Sequence, residues 1–332
     1  MDPRARAALG RTTLTVTRLG LGTAPLGGLY EEVPDGQAHA VVERAFELGL
    51  RFFDTAPLYG YGLAEQRIGH VLRKKPRNDF VLATKVGRLL RPGDPGPDSE
   101  FKGTPRLVPV FDFSYEGTRR AIESSMSRLG LDRLDILLIH DPDEHYEEAL
   151  SGAYRALDEL RADGVVGAIG AGMNQAQMLA RFAREADFDC FLLAGRYTLL
   201  DQVGLDELLP LCLERGIAIS VGGAFNSGIL AGPQPGATFN YAPAPAALVE
   251  RARRIGEVCS RWGVPLKAAA LQFPLGHPAV VSVLAGCRSL GELEENVRMF
   301  EHEVPAGLWA ELKAEGLLPQ AAPEPQAPGV PF

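Results

Sequence analysis

The sequence predicts an α/β protein, a (β/α)8 (TIM-type) barrel with a short N-terminal β-hairpin and a long loop after the third strand. Three observations carry this. Eight short apolar runs recur along the chain, at 19–22, 51–54, 80–85, 136–140, 165–171, 190–194, 217–221 and 280–285. They are apolar on both faces, as strands of a covered parallel sheet must be. Between them lie stretches with helical periodicity, so strand and helix alternate. Eight such units suggest closure, although a doubly wound sheet gives a similar pattern. With 332 residues, 46% of them hydrophobic, there is ample material for one large core. Two domains of about 150 residues each fit the length equally well.

Taken in order, residues 11–17 alternate with β-branched side chains and suit a small hairpin at the barrel's N-terminal end. A helix over 37–48 places Val41, Val42, Ala45 and Leu48 on one face, and one over 115–129 aligns Ile122, Met126 and Leu129. Further helices fit 147–162, 175–185, 205–215, 246–262 and 290–300. Residues 88–114 are rich in Gly, Pro and charge. Irregular stretches of that length are usually lids or linkers. Residues 318–332, rich in Pro, Ala and Gln, read as an extended tail on a single barrel domain spanning 1–332.

The net charge is −8, and no basic stripe is present, which speaks against nucleic acid as a partner. The longest mostly apolar stretches, such as 278–285, fall short of the roughly 20 residues that span a bilayer. Arg4, Arg6 and Arg11 lead into no apolar segment, so no secretory leader is expected. Cys190, Cys212, Cys259 and Cys287 are far apart and form no C-x-x-C pair. They read as reduced, buried thiols, which points to the cytoplasm.

In such a barrel chemistry sits at the C-terminal ends of the strands. Three early runs end in ionisable residues: Arg51-Phe52-Phe53 at Asp54, Val81-Leu82-Ala83-Thr84 at Lys85, and Ile136-Leu137-Leu138-Ile139 at His140. Each has an ordinary structural role open to it, as a turn cap, a snorkelling cation or a carbonyl partner. Three aimed at one mouth are harder to dismiss. Tyr59 follows in a loop stiffened by Pro57 and turned by Gly60 and Gly62. An ammonium near a phenol favours phenolate. A tyrosine tuned this way acts as general acid and base, and a neutral imidazole orients a carbonyl oxygen. These groups suit proton transfer at a carbonyl or hydroxyl. They supply no hydride, so a cofactor must.

With these residues in place the sequence resembles the aldo-keto reductase family over nearly its whole length. The matching stretches are Phe52-Phe53-Asp54-Thr55-Ala56, Tyr59-Gly60, Ala83-Thr84-Lys85-Val86-Gly87 and Leu138-Ile139-His140. The resemblance implies Tyr59 as general acid and base, Lys85 as its pKa depressor, Asp54 as the lysine's partner and His140 as substrate orienter. Ala24-Pro25-Leu26-Gly27, Gly170-Ala171-Gly172-Met173-Asn174, Gly195-Arg196-Tyr197-Thr198-Leu199-Leu200-Asp201 and Asn226-Ser227-Gly228 are similar to a branch of sugar and pyridoxal dehydrogenases. That branch oxidises the hemiacetal carbon of an L-fucose- or D-threo-type aldose, or pyridoxal, to a lactone. A general aldehyde and ketone reductase, running the same chemistry backwards, is the alternative among enzymes. A non-catalytic nicotinamide-binding sensor is the alternative from another class.

The resemblance also implies NAD or NADP as cofactor, placed along Gly22, Thr23, Asn174, Phe225, Gly228, Gly286, Arg288, Ser289, Glu292 and Asn296. The run Leu19-Gly20-Leu21-Gly22-Thr23-Ala24-Pro25 is not a dinucleotide fingerprint, since Pro25 stands where the last glycine belongs. Ala285-Gly286-Cys287-Arg288-Ser289 precedes a helix and suits an anion better. Two departures stand out. Many members place a tyrosine against the nicotinamide where this chain has Gly222-Gly223, with Phe225 nearby, and Gly172 replaces a serine often found beside Asn174. NADPH-preferring members often carry an arginine at the position of Glu292. A carboxylate repels a 2′-phosphate but accepts from a ribose hydroxyl, so NAD is favoured. Tyr30, Phe111, Asp112, Arg196 and Tyr197 are candidate contacts for a small-molecule substrate, a sugar or aldehyde. The segment His140-Asp141-Pro142-Asp143-Glu144-His145 resembles a metal cluster only superficially, because open zinc sites need three well-placed ligands, and no metal is expected.

Overall fold

The computed structural model describes residues 1–240 and 242–325. Eight parallel strands, here β1 to β8, close into a barrel: Leu19–Gly22, Phe52–Asp54, Val81–Val86, Ile136–His140, Ala168–Met173, Cys190–Ala194, Ala218–Gly222 and Val280–Gly286. Each strand pairs with its successor in the chain, and β8 pairs back onto β1. The (β/α)8 expectation therefore stands, and the doubly wound alternative falls.

Period-two alternation sorts the side chains. Phe52, Val81, Ala83, Ile136, Leu138, Cys190 and Leu192 belong to an inner cluster that fills the barrel. Phe53, Leu82, Leu137, Ile139, Phe191 and Leu193 belong to the outer cluster beneath the helices. Asp54, Lys85 and His140 stand two residues beyond Phe52, Ala83 and Leu138. They therefore continue the inward face, one layer nearer the C-terminal mouth.

The opposite end is closed by a hairpin, whose Leu9 and Val16 join the inner cluster. Its strands are Arg6–Ala8 and Thr15–Thr17, so residues 11–17 form only its turn and second strand. Two acids latch neighbouring strands at that end. Asp135 accepts the Leu82 N–H at 2.8 Å and Arg77 at 2.7 Å; Asp189 accepts the Ile169 N–H at 2.9 Å and Arg161 at 3.0 Å. The seam between β8 and β1 is tied by Ser282 Oγ, which donates to the Thr17 carbonyl at 2.8 Å across 265 residues of chain.

Other expectations need correction. The fifth strand runs Ala168–Met173 rather than 165–171, because Gly164 turns the chain and Val165 is exposed. The helical stretch at 147–162 contains a π segment, Ala149–Tyr154. Helices Leu63–Leu72, Leu266–Gln272 and Ala306–Ala314 were not anticipated. The long segment 88–114 is not an irregular loop: Arg88–Pro92 pairs with Leu107–Phe111 in an antiparallel ribbon. Its connecting arm folds back, with Leu29 bridged to Phe101 and the Lys102 N–H donating to Gly28. Within the expected tail, Leu318 and Ala322 are buried, so 318–325 packs onto the barrel. The remainder of that expectation, 326–332, lies outside the described residues. All four cysteines are buried and unpaired. Among the described residues no helix is long and apolar enough to cross a membrane.

Candidate active site

Lys85 organises the mouth. Its ammonium donates to both Asp54 oxygens at 2.8 Å, to the Thr55 carbonyl at 2.9 Å and to Tyr59 Oη at 3.1 Å. Asp54 and Lys85 are almost wholly buried. Burial pushes the Asp54 carboxyl up, and the Lys85 charge pulls it back. Tyr59 is half-buried, so its phenol joins this interior pair to the open mouth.

The tyrosine's loop is fixed by a close backbone approach. A Cβ on Gly60 would come within 2.2 Å of the Gly27 carbonyl oxygen, and one on Gly27 within 2.7 Å of the Tyr59 carbonyl carbon. Glycine is required on both sides, since any side chain there would push Tyr59 off the mouth. Phe101, from the arm of the 88–114 ribbon, packs 6.4 Å from the Tyr59 ring and forms a wall that sequence alone did not reveal.

The His140 ring meets Tyr59 edge-on, with centroids 5.9 Å apart. Burial, assisted by Arg88 and Lys85, holds its pKa well below 6.5, so the imidazole is neutral near pH 7. A neutral ring can donate one N–H to a substrate oxygen without adding a charge. The three groups anticipated at strand ends and the loop tyrosine thus converge.

Beside them opens a cleft of about 620 Å³, within the range of small-molecule and cofactor sites. Asp54, Tyr59, Tyr30, Gly22, Thr23, Asn174, Phe225, Gly228, Gly286, Arg288, Glu292 and Asn296 line it. Ser289 does not: its hydroxyl accepts the Glu292 N–H at 3.2 Å and caps the helix Leu290–Glu301. Thr23 donates to the Asp54 carbonyl at 3.0 Å, which ties β1 to β2 below the cleft floor. Glu292 accepts the Arg288 N–H at 2.7 Å. Lys267 and Glu295, paired at 2.7 Å, also line this end; neither was singled out in the sequence, where a lone cation on a short helix carries no signal.

Several substrate candidates go elsewhere. Tyr197 is fully buried and packs on Phe273, because Gly195, at φ +67°, turns the chain inward after β6. Arg196 is spent on Asp201 and Asn240. Asp112 accepts from Ser114 and Arg120 at the start of a helix. Phe111 lies outside the cleft, stacked with Phe113 and near His145. Tyr30 alone of the five lines it. Among the described residues no three or more His, Cys, Asp or Glu side chains gather to hold a metal.

A nicotinamide dinucleotide fits what is present. Arg288 lines the far end, and its Nε is buried with no partner among the described residues, a donor matched by a phosphate oxygen. The phenol lines the same cleft, as a proton donor beside a hydride carrier requires.

Comparison with known proteins agrees. The chain is 46% identical to a pyridoxal 4-dehydrogenase from Microbacterium luteolum, over 94% of this chain and 98% of that one. It is 44% identical to a D-threo-aldose 1-dehydrogenase from a Pseudomonas species, over 96% and 98%. A solved aldo-keto reductase from Bacillus halodurans superposes with a TM-score of 0.74 at 24% identity, covering 96% of this chain and 98% of that one. The family model described as the Aldo/keto reductase family matches residues 18–315, and the chain belongs to that family of nicotinamide-dependent oxidoreductases.

Proposed function

We propose that this enzyme oxidises the C1 hemiacetal of an aldose, or a pyridoxal-like substrate, to a lactone, with NAD used at least as well as NADP. The observation that carries the chemistry is the 3.1 Å contact between Lys85 Nζ and Tyr59 Oη at the edge of the cleft. A bound nicotinamide accepts or supplies hydride at ring C4. Tyr59 Oη, whose ionised form the adjacent ammonium favours, takes the proton of the C1 hydroxyl as the C=O bond forms. The neutral His140 donates to the same oxygen and fixes its direction. Run backwards, Tyr59 returns the proton to a carbonyl oxygen, so aldehyde reduction uses the same groups. The names of the two relatives above support the aldose or pyridoxal class.

Glu292 supports NAD. One oxygen of its carboxylate holds the Arg288 N–H, and the other is left to accept from a ribose hydroxyl. Glu295 neutralises Lys267, so that cation offers little to a 2′-phosphate. The acidic balance and the buried thiols suit a reducing, cytoplasmic setting. The test is a screen of NAD and NADP reduction across aldoses, pyridoxal and simple alcohols, with the product assayed for lactone. Turnover of an aldose or pyridoxal with NAD is expected. Cofactor binding without turnover would mark a sensor instead, and a strong NADP preference would remove the Glu292 reading.

A further inference from the structure

Beside the four groups above stands a carboxylate with no part in that chemistry. Asp141 follows His140 directly, and its backbone sits at φ +41°, a left-handed conformation that costs most side chains energy. Its N–H donates to the Gly172 carbonyl at 3.1 Å, which holds the turn to the neighbouring strand. The turn sets Asp141 Oδ2 3.4 Å from His140 Nε2 and 3.3 Å from Arg88 Nη2.

Arg88 acts as a clamp. Its second arm donates to the His140 carbonyl at 3.1 Å, and its guanidinium lies 4.8 Å over the Phe111 ring. The arginine side chain is 11% exposed and that of Asp141 32%, so the clamp is buried while the carboxylate can be reached. Asp141 Oδ1 accepts no hydrogen bond among the described residues. A partly exposed ion pair contributes little to stability. A reachable, acceptor-only group held by the turn next to the imidazole, with one oxygen uncommitted, points to a ligand.

We propose that Asp141 determines substrate specificity: its carboxylate accepts a hydrogen bond from a hydroxyl on the carbon next to the reacting carbon. This rests on the hydride-transfer reading above, in which Tyr59 Oη and the His140 imidazole both meet the reacting oxygen, the imidazole being taken to do so at Nε2, the ring nitrogen that Asp141 flanks. Oxygens on adjacent carbons stand about 3 Å apart, one hydrogen-bond length. A hydroxyl neighbouring the reacting carbon is therefore within reach of the carboxylate that flanks Nε2. An aldose that is not 2-deoxy carries such a hydroxyl at C2; pyridoxal and a plain aldehyde have none, so Asp141 favours the aldose side of the function proposed above. Leaving that acceptor unmatched penalises the plain aldehyde, and a group built to bond a hydroxyl discriminates more strongly than an apolar pocket does.

Lactaldehyde and propionaldehyde differ by this one hydroxyl, and their NADH-dependent reduction gives the test. In the wild type kcat/KM should favour lactaldehyde by at least about 10-fold. Asp141→Asn suits the backbone, since Asn also tolerates positive φ. Arg88 would hold the amide oxygen and turn the NH2 toward the hydroxyl, so a weaker neutral bond replaces the charge-assisted one and the lactaldehyde-to-propionaldehyde ratio should fall by at least about 5-fold. A ratio unchanged by the substitution, whether both rates drop together or neither does, would overturn the proposal, because a purely structural role moves both substrates alike. Wild-type enzyme that oxidises an aldose but reduces neither aldehyde would overturn this inference alone; one that turns over no aldose, pyridoxal or aldehyde would sink the hydride-transfer reading, and this inference with it. Should Asp141→Asn fail to fold, Arg88→Lys, which loosens the clamp, should lower the same ratio.

Discussion

Lys85 has three ammonium hydrogens, and Asp54, Thr55 and Tyr59 together take all of them, so Tyr59 receives a hydrogen bond whose direction the barrel wall fixes. Replacing the phenol tests its role without disturbing that wall. Tyr59→Phe should reduce kcat by about 10² to 10⁴, the range for loss of a general acid and base. Dinucleotide affinity, read by fluorescence titration, should stay within about threefold. A variant retaining a tenth of wild-type kcat would show that the proton moves by another route.

Asp54→Asn should cost more in stability than its size suggests. It leaves the Lys85 ammonium buried without its counter-charge, and breaking a buried pair costs about 3–5 kcal/mol. Adding Lys85→Met removes the stranded charge, so the double variant should recover more than half of the loss in urea denaturation. Additive losses would mean that the two residues are not energetically coupled.

Glu292→Arg should raise the NADP-to-NAD ratio of kcat/KM by at least about 10-fold, because the new guanidinium can meet a 2′-phosphate bidentately. It also removes the acceptor for the Arg288 N–H, at a stability cost of about 1 kcal/mol. Steady-state kinetics with both cofactors would decide; an unaltered ratio would place the adenosine elsewhere.

His277 makes stability depend on pH. Burial lowers its pKa from 6.5 to about 4, and its Nδ1 accepts the Ala279 N–H at 3.2 Å, which only a ring unprotonated at that nitrogen can do. Between pH 6.5 and 4 the unfolded chain binds a proton that the native one excludes. Stability is therefore full above pH 6.5 and falls as the pH drops toward 4. Urea unfolding at pH 7 and 5 should show this loss, and His277→Gln should make it shallower. An equal slope in the variant would assign the loss to other groups.

The barrel and its four central groups were readable because strand alternation and strand ends are local signals. Asp54, Lys85 and His140 each end an apolar run, and period two then fixes the face they share. The misread features depend on contacts far apart in sequence. The ribbon Arg88–Pro92 with Leu107–Phe111 hides behind a Gly- and Pro-rich connection that resembles a loop. Tyr197 looked like a substrate aromatic until Gly195 turned it into the core. Ser289 looked like an anion ligand, but its hydroxyl is consumed at its own helix start. Asp141 gave no sign because a backbone torsion, not a residue type, sets its position.

The join between Val280–Gly286 and Leu19–Gly22 has a consequence for biosynthesis. Until the last strand leaves the ribosome, the first keeps an unsatisfied hydrogen-bonding rim, and so does the seventh. A nascent chain thus carries two sticky borders through most of translation. Release of the final strand seals both at once. Truncation before residue 280 should therefore yield aggregates rather than a smaller soluble enzyme.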